Sequence, residues 1–141
     1  MKEIKKVLIF AGLMILCIST ISACNSKTEK KNHILQPKDS NINSVSPEQA
    51  KKMMDSSSDF IILDVRTKDE YNDFHIKDAI NIPDMEIRLR AEDIIPNKDK
   101  LIFVYCRSGR RSKIASKDLV DMGYTNIVEF GGIVNWPYEL E

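Results

Sequence analysis

Five consecutive apolar residues, Leu-Ile-Phe-Val-Tyr at positions 101–105, run directly into Cys106-Arg107-Ser108-Gly109-Arg110-Arg111-Ser112-Lys113. Apolar residues then recur at helical spacing, at Ile114, Ala115, Leu119 and Met122. A run that short, apolar at every position and rich in β-branched and aromatic side chains, fits a strand buried on both faces. A buried strand that passes through a short loop into an amphipathic helix is the repeating unit of a parallel sheet. The chain is thereby constrained to alternate strands with helices.

The same alternation recurs upstream. Ser46-Pro47-Glu48-Gln49 combines a cap, a first-turn proline and a capping-box glutamine, which predicts a helix to about Met54. Residues 60–65 predict a second buried strand with Asp64 at its C-terminal end. Thr67-Lys68-Asp69-Glu70 repeats the capping box and opens a helix to about Phe74. A brief strand at 79–82 ends at Pro83, Asp84 is placed to cap a third helix over 85–91, and residues 96–99 form a turn. Gly123 is placed to end the helix over 112–122, and a last strand at 126–130 leads to Gly131-Gly132 and Trp136. The predicted fold class is α/β, a mostly parallel central sheet with helices on both faces. Such sheets bind ligands at the carboxyl ends of their strands, where Asp64 and Cys106 fall.

The 141 residues hold 21 Lys+Arg and 21 Asp+Glu, with 43% hydrophobic and 30% charged residues, the composition of one globular domain. Zero formal net charge gives no general attraction to nucleic acid. Three cysteines and two histidines do not supply four closely paired ligands, so no structural zinc is expected, and nothing points to another metal or a cofactor. A short single domain without an apolar surface stripe predicts a monomer.

The first residues read as an export signal. Residues 1–6 carry three lysines and one glutamate, and the 15 residues at 7–21 are uninterruptedly apolar or small. A spanning helix needs roughly 20 apolar residues, so a permanent transmembrane anchor fits less well. Ile21-Ser22-Ala23-Cys24 resembles the bacterial lipobox, in which small residues precede a cysteine that is diacylated and becomes the new N-terminus. The alternatives are an ordinary signal cleaved near Ala23, or a short uncleaved anchor with Cys24 incidental. The predicted organisation is a signal at 1–23, a lipidated terminus and polar tether at 24–43, and a domain at 44–141. The expected location is the cell membrane, lipid-anchored on the extracytoplasmic side. Cys17 then leaves with the signal and Cys24 is acylated, which makes Cys106 the sole free thiol. An unpaired cysteine in an exported protein asks for a reason, and catalysis supplies one.

The loop after the central strand suits that purpose. Successive N–H groups between a strand end and a helix start can face one concavity around the sulfur, forming an anion cradle. Gly109 permits the crowded backbone of a tight loop, and four cationic side chains lie within eight residues. A thiol so placed has a lowered pKa. A loop this short cannot aim every side chain inward, so at least one of Arg107, Arg110 and Arg111 is a solvated face. Spacing favours Arg111 as the inward one.

Cys106-Arg107-Ser108-Gly109-Arg110-Arg111-Ser112 resembles the active-site loop of rhodanese-family sulfurtransferases, C-R-x-G-x-R-S. Leu63-Asp64-Val65-Arg66 with Glu70-Tyr71 resembles the family's D-V-R…E-[YF] segment. His75 to Pro83 resembles its H-I-x-G-A-x-N-[IL]-P, and Gly131-Gly132-Ile133-Val134-Asn135-Trp136 its closing G-G-x-x-x-W. Phe74 and Asp78 stand where the family usually has glycine, which puts local turn geometry in question. The resemblance implies a rhodanese-like fold, Cys106 as catalytic nucleophile, and a substrate cradle of Arg107, Ser108, Gly109, Arg110, Arg111 and Ser112. It also implies a structural ion pair between Asp64 and Arg66, a framework role for His75, and a core role for Trp136.

The expected activity is transfer of sulfane sulfur from a small anionic donor such as thiosulfate, through a Cys106 persulfide, to cyanide, a small thiol or a thiol protein. Phosphatase and arsenate-reductase relatives place one more residue between cysteine and arginine. Here Cys106 and Arg111 enclose four residues, and Ser112 occupies the position of the larger loop's arginine. A membrane-anchored persulfide carrier or interaction module is the remaining alternative.

Overall fold

The computed structural model describes residues 42–141. The expected signal segment, Cys24 and most of the tether lie outside the described residues. Strands β1 (Ile42–Ser44), β2 (Phe60–Asp64), β3 (Ile80–Asn81), β4 (Leu101–Cys106) and β5 (Ile127–Gly132) form one sheet in the order β1-β5-β4-β2-β3. Every neighbouring pair is parallel. The helices are α1 (Pro47–Asp55), α2 (Lys68–Asp73), α3 (Ile87–Ile94) and α4 (Arg110–Asp121).

Alternation along the central strands divides the core into two layers. Leu63, Ile102, Val104, Cys106 and Ile127 pack with Ile87 and Ala91 of α3 and with Ala115, Leu119 and Val120 of α4. Ile62, Phe103, Tyr105, Val128 and Phe130 face the other way, against Ala50 and Met54 of α1 and against Ile133 and Trp136. The sheet is thus parallel and covered on both faces. Cys106 belongs to the α4 side.

Both expected capping boxes close. The Gln49 N–H donates to Ser46 Oγ at 3.2 Å and the Ser46 N–H donates to Gln49 Oε1 at 2.9 Å. Thr67 and Glu70 repeat the exchange at 3.3 and 3.1 Å. Three expectations need correction. Ile42 and Asn43, assigned to the tether, pair with Ile127 and Val128 in the sheet, because parallel addition to β5 satisfies their backbone groups. Asp84 caps nothing: it opens a 3-10 turn at Asp84–Glu86, and α3 then runs on to Ile94. Helix α4 begins at Arg110, two residues before the expected start, since Gly109 at φ +100° turns the chain directly into it.

The two departures from family glycine differ in kind. Phe74 has φ −169°, extended backbone open to any residue, so glycine is not required there. Asp78 lies at φ +62°, the left-handed region that aspartate tolerates better than most side chains. Its N–H donates to Glu141 Oε1 at 2.9 Å.

The end of β5 sets the position of the loop after β4. Val104 pairs with Glu129 and Cys106 with Gly132, so β5 carries one more residue than β4 across that interval. The bulge falls at Phe130-Gly131, with Gly131 at φ +86°. A Cβ on Gly132 would stand 2.2 Å from the Arg107 carbonyl oxygen and 2.5 Å from the Ser108 Cα. Only a residue without a side chain lets the loop lie against the sheet. Gly132 has φ −136°, so alanine there meets a clash and no backbone strain. Gly132→Ala is therefore expected to lower the unfolding free energy by about 1–3 kcal/mol. Chemical denaturation reads that loss, and a wild-type midpoint would contradict the packing described.

Candidate active site

Cys106 is the last residue of β4 and is 1% exposed, so its sulfur lies at the floor of the loop. The chain bends through residues 107–109 and enters α4, whose first N–H groups have no intrahelical acceptor. The Gly109 N–H donates to Cys106 Sγ at 3.1 Å. Ser112 Oγ lies 3.7 Å from the sulfur and is itself buried. Burial pushes the thiol pKa up, but the hydrogen bonds at Ser112 and those from the N–H groups of Ser108 and Gly109 outweigh it. The net effect is a thiol pKa below the ordinary value.

The cradle residues divide between floor and rim. Cys106, Gly109 and Ser112 are buried, whereas Arg107, Ser108 and Arg110 are exposed. Arg111, favoured from spacing as the inward cation, is paired with a carboxylate. Its Nη1 and Nη2 donate to Glu70 Oε2 and Oε1 at 2.6 and 2.8 Å. That bidentate contact is the first cause holding Glu70 down to about pKa 2. The same carboxylate closes the capping box of α2, so α2 and α4 are joined through one side chain.

Asp64 and Arg66 form the buried support at the end of β2. The Asp64 carboxylate accepts from the Arg66 N–H at 2.8 Å, from Nε at 2.9 and 3.1 Å, and from Nη2 at 2.6 Å. Arg66 Nη2 also donates to the Phe74 carbonyl at 2.6 Å, and its guanidinium lies 5.2 Å from the Phe74 ring centroid. Arg66, Glu70, Asp73, Phe74, Arg107, Ile133 and Val134 line a cavity of about 280 Å³. A larger cavity of about 790 Å³ lies by Met54, Ile76 and Trp136 and includes none of the cradle residues.

His75 and Trp136 are framework. His75 stacks on Tyr71 with ring centroids 3.9 Å apart, and its Nδ1 lies 2.9 Å from the Tyr71 carbonyl. Trp136 packs on Phe130 and is 8% exposed. Two features beside the sulfur loop are not legible in the sequence: the contact of Glu70, a cap and part of the E-[YF] resemblance, with Arg111, and the acid Glu129 inside an apolar strand. A lone acid in a buried strand was the available signal for Glu129, because such a group needs partners.

Glu70→Gln keeps the cap but removes the charge. Its pKa is depressed on folding, so the stabilisation is full above the unfolded value and is lost as pH falls from about 4.5 to about 2. The substitution is expected to cost on the order of 1–2 kcal/mol at neutral pH, with partial exposure reducing the gain. Denaturation against pH should show the gap to wild type closing across that acid range; a constant gap would contradict it.

The comparisons agree with the geometry. The model of the rhodanese-like domain matches residues 46–138. The thiosulfate sulfurtransferase PspE of Escherichia coli is 39% identical over 71 residues, covering 50% of this chain and 68% of PspE. A sulfurtransferase of Allochromatium vinosum is 32% identical over 96 residues, covering 67% of this chain and 88% of that protein. Among solved structures, a rhodanese with anions from E. coli superposes with a TM-score of 0.54 at 34% identity, covering 57% of this chain and 95% of that one. With its parallel five-stranded sheet and its cysteine loop at the sheet's carboxyl edge, the chain belongs to the rhodanese family.

Proposed function

We propose that the protein transfers sulfane sulfur through a persulfide on Cys106, with thiosulfate as a competent donor. The observation that carries this reading is the sulfur at the N-terminus of α4, where the Gly109 N–H donates to Sγ at 3.1 Å. The thiolate attacks the outer sulfur of thiosulfate; the new S–S bond forms as the donor's S–S bond breaks, and sulfite leaves with the electron pair. A nucleophilic acceptor, cyanide or a thiol, then attacks the outer sulfur and returns Cys106 as thiolate. The N–H groups around the sulfur stabilise each anionic state in turn. Arg107, exposed at the rim, meets the donor's charge, while Arg111 reaches it with its own charge shared with Glu70. The four-residue spacing from Cys106 to Arg111 favours sulfur over a tetrahedral phosphate or arsenate.

The same reading places a monomeric domain outside the cytoplasmic membrane, tethered by lipid on Cys24. Its support is the basic, apolar and small-residue sequence of residues 1–24. The acceptor is then a small thiol or a thiol protein on that side of the membrane.

Intact mass of the full chain, before and after thiosulfate, tests the persulfide. Wild type is expected to gain one sulfur, about 32 Da, which cyanide or a thiol removes, and Cys106→Ser is expected to gain none. No gain in wild type, or an equal gain in the serine variant, would overturn the proposal.

A further inference from the structure

Glu129 is a carboxylic acid in the middle of β5, 3% exposed, and no step of the proposed transfer uses it. Alternation places it on the same face of β5 as Ile127, which packs in the same core layer as Cys106. Its Oε1 accepts from Ser112 Oγ at 2.6 Å and from the Gly131 N–H, freed by the bulge, at 2.9 Å. Ser112 Oγ in turn lies 3.7 Å from Cys106 Sγ, 3.0 Å from the Gly109 carbonyl and 3.3 Å from the Gly131 carbonyl. One hydroxyl thus stands between a buried acid and the reactive sulfur.

A serine hydroxyl has one proton and two lone pairs. While Glu129 is ionised, that proton is drawn to Oε1, and Ser112 offers the sulfur a lone pair that only a protonated thiol can use. Once Glu129 is protonated it can donate to Ser112, whose own proton is then free to turn to a thiolate. The two arrangements carry equal charge. They interconvert when the S–H proton moves to Ser112 Oγ as the Ser112 proton moves to Glu129 Oε1. One S–H and one O–H bond break, two O–H bonds form, and no electron is gained or lost.

We propose that Glu129 is a positioning residue that shares one proton with Cys106 through Ser112, so that the pair holds a single negative charge. The inference rests on Cys106 as the sulfur-carrying nucleophile and states where its proton goes. The thiol passes its proton inward when the donor arrives, and recovers it from Glu129 after the acceptor has taken the sulfur. A second negative charge on the pair is opposed by the first.

Other charged groups surround the pair. Arg107, Arg110, Arg111 and Lys113 lie on the loop and the first turn of α4, with Arg111 paired to Glu70. On β2, Asp64 is paired to Arg66; ahead of α3, Asp84 acts on Arg111. Arg88 of α3 is paired to Asp118 of α4. On β4, Tyr105 faces the opposite core layer.

Thiolate absorbance in the ultraviolet, followed across pH on the full chain with Cys106→Ser subtracted, reads the sulfur alone. Wild type is expected to ionise over a broad two-step range, because the pair titrates as a unit. Glu129→Gln should ionise in one step with its midpoint at least one unit lower, about tenfold more thiolate at a pH below both midpoints. Identical profiles would overturn the proposal. If Glu129→Gln does not fold, the carbon-13 shift of the Glu129 carboxyl decides, titrated in wild type and in Cys106→Ser. A titration displaced by about one unit or more on removal of the thiol supports the shared proton, and an unmoved one overturns it. Neither readout uses thiosulfate, so failure of sulfur transfer and failure of the coupling are separate results.

Discussion

The N–H groups at the start of α4 have no helical acceptor, and the end of β4 puts a sulfur where those groups point. The geometry depends on how closely the chain can turn from one element to the other. Gly109 makes the turn, and Gly132 on the neighbouring strand leaves the space into which residues 107–108 settle. Most of what surrounds the site maintains that arrangement. The bulge in β5 brings Gly132 level with Cys106, and the Glu70–Arg111 contact ties the first turn of α4 to α2. The sulfur's acidity follows from backbone placement more than from side-chain charge, which explains why two of the loop's three arginines lie exposed.

Buried charge is expensive, and this domain concentrates it at the carboxyl edge of the sheet. Asp64 and Arg66 are 0% and 1% exposed, and they satisfy one another locally: the pair is two residues apart and uses backbone as well as side chain. Arg66 adds the Phe74 carbonyl, and Asn81 Nδ2 donates to the carbonyls of both Asp64 and Arg66 at 3.0 Å. Such a pair fixes the register of β2, β3 and the following turn more than it stabilises them, since desolvation cancels much of the attraction. Glu129 differs because, among the described residues, its hydrogen bonds come from a hydroxyl and an amide rather than from a cation. That chemical difference separates a group that is structural from one that can take part in proton movement.

Much of the architecture was legible in the residues. The apolar runs at β2 and β4, the two capping boxes and the strand–loop–helix join each rest on contacts near in sequence. What escaped depends on contacts distant in sequence or on single residues. Strand β1 has one apolar residue among polar neighbours, and only its pairing with β5 orders it. The Arg111–Glu70 contact joins residues 41 apart, so spacing within the loop could single out Arg111 as the inward cation but not what it meets. The bulge that sets Gly132 against the loop shifts the register by one residue, which no local pattern announces. The start of α4 was misplaced because a cap made by glycine and a sulfur lacks the side-chain signature of serine or aspartate.

Among the described residues, both margins of the sheet are stubs. β1 contributes three residues and β3 two, whereas the strands between them are five or six residues of mostly apolar sequence. A long bare margin invites another chain to add itself, and a short one offers too few free donors and acceptors to hold a newcomer in register. The strongly apolar β2 and β4 are thereby walled in on both sides by segments too brief to propagate. The fold that aims a sulfur at a helix end also limits its own tendency to stack into aggregates.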